Sequence, residues 1–146
     1  MLKFCKVRDV KSPVRAHEGD AGIDFFMPND VGAVDLKHGD SALIPSGIKV
    51  DVPHGLALIF FNKSGVASKK RLDVMACVVD HGYQGEVHLN LINNGHGVQR
   101  LVPGEKLLQG ILVPVALSSP VETSADDMWL ETQSQRGSGG FGSTGT

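Results

Sequence analysis

Residues 87–92 read Val87-His88-Leu89-Asn90-Leu91-Ile92, and their apolar and polar side chains alternate with a single break, at Ile92. Successive side chains of a β-strand point to opposite faces of a sheet, so a period of two indicates a half-buried strand. We therefore expect this segment to lie in a sheet, with one of its faces packed against the core.

The rest of the chain has the same character, because its apolar runs are short and are separated by Gly, Pro, Asp and Asn. Turn residues stand at Pro45-Ser46-Gly47, Pro53-His54-Gly55 and Pro103-Gly104. Further strands are predicted over residues 2–7, 42–44, 47–52, 56–61, 75–79 and 107–113. A short helix is predicted over residues 64–71, with Ser64 as its N-cap. The pattern as a whole predicts an all-β chain.

Composition limits the classes of function. The chain has 146 residues and a formal net charge of −2, which is the size of one domain and leaves no broad basic surface for nucleic acid or an anionic membrane. Its one basic cluster, Lys69-Lys70-Arg71, is interpreted as a solvated loop. No apolar run has the length of a membrane span, and the two cysteines, Cys5 and Cys77, are far apart in sequence. These features predict a protein of the reducing cytoplasm.

The C-terminal part differs from the rest, since apolar residues become sparse from residue 118 onward. We divide the chain into residues 1–117, a β-structured domain, and residues 118–146, an extended flexible arm. Residues 136–145 combine Arg136 with three hydroxyls, five glycines and the ring of Phe141. Glycine amides and hydroxyls can approach an anion, arginine pairs with phosphate, and a planar base can stack on phenylalanine. The arm is interpreted as a clamp for phosphate and base, with a disordered Gly/Ser tail as the alternative.

Five segments, in this order, resemble the motifs of the homotrimeric dUTP pyrophosphatases, the dUTPases. The resemblance covers the chain from Arg15 to Thr144, and it depends on the order of the segments more than on any one of them. The segments are Gly19-Asp20-Ala21-Gly22-Ile23-Asp24, Asn62-Lys63-Ser64-Gly65-Val66-Ala67, Val78-Val79-Asp80-His81-Gly82-Tyr83-Gln84-Gly85-Glu86, Gly104-Glu105-Lys106-Leu107-Leu108-Gln109 and the tail from Arg136.

This resemblance implies a jelly-roll-like distorted β-barrel that assembles as a homotrimer. Each active site would draw on three subunits, one giving a hairpin around Asp80, another the Ser64 segment and the third the tail. The implied reaction hydrolyses dUTP to dUMP and pyrophosphate, which lowers dUTP and supplies dUMP for thymidylate synthesis.

The resemblance also assigns roles around the hairpin. Asp80 would be the general base that takes a proton from the water attacking the α-phosphorus. Tyr83 would pack under the deoxyribose and leave no room for a 2′-hydroxyl. Uracil would be bound mainly by backbone groups of the flanking residues, which are Cys77, Val78, Val79 and His88. The alternative for Asp80 is an ordinary turn aspartate. The alternative for Tyr83 is a core or turn aromatic.

Donors from several segments would bind the triphosphate by the same likeness. Ser64 would act beside Lys63 and the Gly65 amide, Gln109 would add an amide donor, and the tail would close over the nucleotide. The tail residues are Arg136, Gly140, Phe141, Gly142, Ser143 and Thr144, with Phe141 over the uracil. Mg²⁺ would be bound chiefly by the phosphates, with Asp24 holding one of its waters. A structural role for Asp24 is the alternative.

Three positions depart from the family's pattern. Lys63 replaces the usual Arg, Gly82 stands where many members carry a second Asp, and Leu108 stands where a small residue is frequent. Two other functions stay open. A relative of the dCTP deaminases would need a further acid or base near the nucleobase. A nucleotide-gated regulatory protein would bind a partner protein and use the tail as its switch.

Overall fold

The structure is a computed structural model and describes residues 1–130 and 134–140. Strands dominate the described part of the chain, and one short helix interrupts them between the sixth and seventh strands. In chain order the elements are β1 Lys3–Lys6, β2 Ile23–Phe26, β3 Val34–Leu36, β4 Ser41–Pro45, β5 Ile48–Asp51, β6 Leu56–Asn62, α1 Ser64–Lys70, β7 Leu72–Val74, β8 Val78–Val79, β9 His88–Asn93, β10 Gln99–Leu101 and β11 Lys106–Pro114. The expected all-β class is confirmed.

The described strands form four antiparallel sheets. The largest has the order β2-β11-β6-β8, the next has the order β4-β9-β7, and β1 with β5 and β3 with β10 form two pairs. The predicted closure into a barrel is wrong for the described residues, because these sheets stay separate. The physical reason lies in β8, which spans only Val78–Val79 and pairs only with β6, so no ladder joins the two larger sheets there.

The core confirms the alternation read from residues 87–92. Val87, Leu89 and Leu91 are buried, whereas His88 is exposed and Asn90 is half-buried. Side chains from both larger sheets contribute to this core, and Phe25 meets Phe60 edge to face at 4.9 Å between ring centroids. Burial of these apolar side chains supplies the main favourable free energy of the fold.

Four strands and one cap differ from the sequence-based expectation. β2, β3, β7 and β10 have only three or four residues each, too few for an alternating pattern to stand out. The helix begins at Ser64 itself and its N-cap is Lys63, which makes no side-chain capping bond, so the prediction of Ser64 as the cap is wrong. The helix ends at Lys70, and its C-cap residue, Arg71, adopts the left-handed conformation with φ 56°.

The chain divides into two compact units, Met1–Ala116 and Leu117–Thr146. All the strands and the helix named above belong to the first unit. In the second unit, the described residues form turns and irregular backbone. Across the residues that the structure describes, no helix is both long and apolar enough to span a bilayer.

Candidate functional site

A cavity of about 260 Å³ opens between β8 and the beginning of β9. Its walls are mainly apolar. The connection between the two strands contributes the polar side chains of Asp80 and Tyr83, and β9 contributes His88 and Asn90. The lining residues are Leu43, Phe60, Ala76, Cys77, Val78, Val79, Asp80, Tyr83, Val87, His88 and Asn90. A concave apolar site with a few convergent polar groups is the usual form of a small-ligand pocket.

The turn at residues 80–83 places two of these polar side chains. The Tyr83 backbone N–H donates to the Asp80 carbonyl oxygen at 3.3 Å, and Gly82 has φ 86° at the third position of the turn. A positive φ at this position favours glycine, so Gly82 suits the turn. His81 is held by a contact of 2.7 Å between its Nδ1 and the Val52 carbonyl oxygen. Asp80 and Tyr83 are thereby exposed at the cavity.

The two strands beside this cavity do not form the predicted paired hairpin. β8 pairs with β6, with Leu58 opposite Val79, whereas β9 pairs with β4 and β7. The Cys77 carbonyl is already used, since it accepts from the Phe60 N–H at 2.8 Å. Because each strand bonds to a different partner, the space between them stays open as the cavity.

Tyr83 is held across the backbone that follows the turn. Its Oη donates to the Glu86 carbonyl oxygen at 3.0 Å, and a Cβ on Gly85 would lie 2.2 Å from that Oη. Only a glycine at position 85 lets the ring approach the backbone so closely. The Tyr83 ring is therefore fixed at the wall of the cavity while remaining 46% exposed.

A second polar cluster lies on the sheet β2-β11-β6. Asp24 is 2% exposed, its Oδ1 pairs with Lys63 Nζ, and its Oδ2 lies 2.8 Å from Lys106 Nζ. Burial raises the pKa of Asp24, but the Lys106 and Lys63 ammonium groups beside the carboxylate outweigh burial and lower this pKa below its ordinary value. The cluster of one carboxylate and two ammonium groups has a net positive charge, which suits the binding of an anion.

Gln109 and Ser64 lie beside this cluster. Gln109 is opposite Asp24 in the pairing of β11 with β2, and its Nε2 donates to the Asn62 carbonyl oxygen at 2.9 Å. A Cβ on Gly22 would lie 2.0 Å from Gln109 Oε1, so glycine at position 22 leaves room for this side chain. Ser64 and Gly65 are exposed at the first turn of α1, directly after Lys63.

The structure thus divides the predicted site residues of the first unit into two sets. One set lines the cavity and consists of Cys77, Val78, Val79, Asp80, Tyr83 and His88. The other set consists of Asp24, Lys63, Ser64, Gly65 and Gln109, and none of these residues lines the cavity.

Some residues of both sets were missed by sequence reasoning. Leu43, Phe60, Ala76, Val87 and Asn90 line the cavity without having been predicted. Phe60 and Leu43 come from distant strands, so no local pattern identifies them. Lys106 lies inside a quoted motif, and its cationic side chain three residues before Gln109 was a signal that could have been used.

The tail residues belong to the second unit. Arg136 Nε donates to the Gly139 carbonyl oxygen at 2.8 Å, and the Gly139 N–H donates back to the Arg136 carbonyl oxygen at 3.0 Å. Gly140 follows this turn and is partly buried. The predicted contacts of Phe141, Gly142, Ser143 and Thr144 lie outside the described residues.

The described residues contain few groups that could bind a metal ion. Within residues 1–130 and 134–140, no group of three or more His, Cys, Asp or Glu side chains is placed to hold one. Asp24 is the predicted metal contact, and both of its oxygens face ammonium groups. These residues fit a magnesium ion that arrives on a triphosphate, because the phosphate oxygens and water would then supply most of the ligands.

Comparisons with known proteins agree with one another. The dUTPase family model matches residues 8–145. The chain is 36% identical over 141 residues to the deoxyuridine 5′-triphosphate nucleotidohydrolase of Mycobacterium sp. (strain JLS), covering 94% of this chain and 90% of the relative. It is 34% identical over 146 residues to that of Clostridium tetani, covering 99% and 94%.

The fold is also similar to that of solved structures. A mutant dUTPase of Staphylococcus bacteriophage 80alpha with dUpNHpp matches with a TM-score of 0.87 and 25% sequence identity, over 100% of this chain and 99% of that chain. This likeness confirms the jelly-roll-like fold, with the exception of the barrel closure corrected above.

Proposed function

The chain belongs to the dUTPase family and is a dUTP diphosphatase, and on this premise we propose that the cavity between β8 and β9 is its uracil and deoxyribose site. One observation carries the proposal: a single cavity is lined by residues 77–79, Asp80 and Tyr83 together. Its apolar walls suit a planar base, and its size suits one nucleoside.

Asp80 is proposed as the general base. Its exposed carboxylate, at the cavity, would take a proton from a water molecule that attacks the α-phosphorus of dUTP. A new P–O bond forms, the bond between the α-phosphorus and the bridging oxygen breaks, and pyrophosphate leaves. A positioned base of this kind typically contributes about 10²- to 10⁴-fold to the rate.

The Asp24 cluster is proposed as the triphosphate side of the site. Lys63 and Lys106 supply positive charge there, and Ser64, the Gly65 amide and Gln109 supply hydrogen-bond donors. Lys63 is a compact point charge where an arginine fork is usual, so its phosphate contact would be less directional. Since none of these residues lines the cavity, we propose that they serve the cavity of a neighbouring subunit in a homotrimer.

Magnesium is proposed to enter the site with dUTP. When bound, it neutralises phosphate charge, and Asp24 is the residue proposed to hold one of its waters. Residues 1–117 are proposed as the catalytic domain and residues 118–146 as the arm. Closure of the arm, from Arg136 onward, would exclude water and fix the nucleotide for attack.

Replacing Asp80 by Asn tests the assignment of the base. We expect Asp80→Asn to lose about 10²- to 10⁴-fold in pyrophosphate release from dUTP with Mg²⁺, while still binding the nucleotide, because the amide keeps the shape and cannot accept the proton. The matched control is Asp51→Asn on β5, an exposed carboxylate that pairs with Lys3. Release should be measured from dUTP, dCTP, dTTP and UTP in parallel. Normal turnover by the Asp80→Asn protein would remove Asp80 from the mechanism.

A further inference from the structure

We propose that Glu86 is a positioning residue for Tyr83 and that, together with Arg8 and the Gly47 amide, it sets the discrimination between deoxyribose and ribose. The proposal deepens the proposed function and rests on the assignment of Tyr83 to the sugar site. Glu86 is outside the cavity lining, so it would act through the tyrosine and not on the nucleotide.

Tyr83 contacts the backbone of residue 86. The Tyr83 Oη donates to the Glu86 carbonyl oxygen at 3.0 Å, and the same oxygen lies 3.0 Å from His88 Nδ1. The ring also covers Gly85 so closely that an added Cβ would lie 2.4 Å from its Cζ. The position of the ring therefore follows the position of the backbone at residues 85 and 86.

The Glu86 side chain anchors that backbone. Its Oε1 accepts from Arg8 Nε at 2.9 Å and from the Gly47 N–H at 2.7 Å. The side chain is 18% exposed, and Arg8 is supported further by Asp30, at 3.5 Å. Charge-assisted hydrogen bonds of this kind are stronger than neutral ones, and partial burial reduces their screening by solvent.

Gly47, one of the two groups that bind the Glu86 side chain, is itself held rigidly. Gly47 has φ 75°, and an added Cβ would lie 2.9 Å from Val10 and 3.0 Å from the Arg8 Cβ. Its carbonyl oxygen accepts from the Val7 N–H at 2.8 Å. Gly47 is thus held tightly against residues 7–10, and it provides a fixed point for Glu86.

These contacts bear on the sugar because rejection of a 2′-hydroxyl depends on occupied volume. A small displacement of the Tyr83 ring would make room for the hydroxyl of UTP, whereas dUTP needs no such room. Loss of the Glu86 anchor should therefore affect the two nucleotides differently. A residue that only stabilises the fold would lower turnover of both to the same extent.

The test is the ratio of kcat/KM for dUTP to kcat/KM for UTP in Glu86→Ala. We expect this ratio to fall about tenfold, since small misplacements of a positioning group have effects of this order or larger. The matched control is Glu105→Ala, because Glu105, like Glu86, pairs with a cation, here Lys70, and accepts a backbone N–H, that of Val102 at 3.2 Å. The control should keep the wild-type ratio.

Coupling to Tyr83 is tested in a double-mutant cycle with Tyr83→Phe, which removes the hydroxyl bonded to Glu86. In that background Glu86→Ala should change the ratio little further. An equal fall for both nucleotides, or the same fall with and without the tyrosine hydroxyl, would overturn the proposal. If Tyr83→Phe and Tyr83→Ala both keep the wild-type ratio, the sugar-site assignment fails first.

A second variant tests the role of the Glu86 anchor if Glu86→Ala does not fold. Arg8→Met removes the cation and leaves the Glu86 side chain bonded to the Gly47 N–H. Its ratio should fall in the same direction and by a smaller factor, about two- to threefold, because one of two anchoring contacts remains. An unchanged ratio in a folded Arg8→Met protein would count against the proposal.

Discussion

Gly22 and Gly19 lie in the same segment but differ in what surrounds them. A Cβ at Gly22 would lie 2.0 Å from Gln109 Oε1, whereas a Cβ at Gly19 would meet no atom within 4 Å. We expect Gly22→Ala to displace the Gln109 side chain and to lower kcat/KM for dUTP about three- to tenfold, the effect of one lost hydrogen bond.

Gly19→Ala is the control for this change and should keep wild-type kinetics. Gln109→Ala should resemble Gly22→Ala, and the double variant should add little to either, because both changes remove one interaction. Wild-type kinetics for both Gly22→Ala and Gln109→Ala would show that Gln109 does not contribute to turnover.

Asp24 makes stability depend on pH. Burial acts to raise the pKa of this carboxyl, but the Lys106 and Lys63 ammonium groups outweigh burial, so the folded-state pKa is lowered. Its stabilising contribution is therefore complete above the unfolded-state pKa, about 4, and is lost as the pH falls through the lower folded-state value.

The measurement is the urea midpoint of the wild type and of Asp24→Asn, from about pH 7 to about pH 3. At neutral pH the Asn variant should be the less stable, because it leaves two ammonium groups without their counterion. The difference should shrink on acidification. Parallel curves would mean that the Asp24 charge contributes nothing to folding.

The strand β9 could be predicted from the sequence, whereas β8 could be predicted only in part. The alternation of residues 87–92 gave the correct buried face because that strand has one face on the core. β8 was predicted as the end of a strand over residues 75–79 that pairs with β9, but pairing in a jelly-roll-like fold depends on strands far apart in sequence, and β6 takes this role.

The candidate site shows the same limit. Asp80 and Tyr83 stand in one local turn, so sequence could place them together. Phe60 and Leu43 reach the cavity from β6 and β4, and no local pattern reports such a contact. The Lys106 ion pair was missed because it depends on the register of β11 against β2.

The end of α1 allows a stabilising change. Arg71 is a non-glycine residue at φ 56°, a conformation that costs about 1–2 kcal/mol for a residue with a Cβ. We expect Arg71→Gly to raise the thermal unfolding midpoint, with a gain of about 0.5–1 kcal/mol after the extra chain entropy of glycine is subtracted.

Lys69→Gly, inside the same helix, is the contrasting variant. It should lower the thermal unfolding midpoint, with a loss of about 1 kcal/mol in the free energy of unfolding, because glycine is unfavourable in a helix interior. If Arg71→Gly is destabilised as much as Lys69→Gly, the Arg71 side chain contributes more than its backbone conformation costs.

In the proposed homotrimer, one subunit completes the active site of another. Two inactive chains test this arrangement: Asp80→Asn, and a chain that ends before Arg136. If Asp80 and the tail of one site come from different subunits, every mixed trimer keeps one intact site of three, and an equal random mixture should show about a quarter of wild-type turnover.

The two chains should be refolded together and compared with each chain refolded alone. Turnover in the mixture, but not in either chain refolded alone, would support active sites that are shared between subunits. No turnover in a mixture proven to contain mixed trimers would mean that Asp80 and the tail act within the same subunit, and it would remove the proposed division of the site.

The position of Cys77 has a practical consequence. One of two cysteines in the chain lines the cavity, and the other, Cys5, is exposed on β1. A Cys5→Ser protein therefore carries one thiol, at the place where the nucleobase is proposed to bind. The rate at which iodoacetamide alkylates that thiol then measures how much of the cavity is occupied, without an optical probe. Slower alkylation with increasing dUMP would report the fraction of filled cavities.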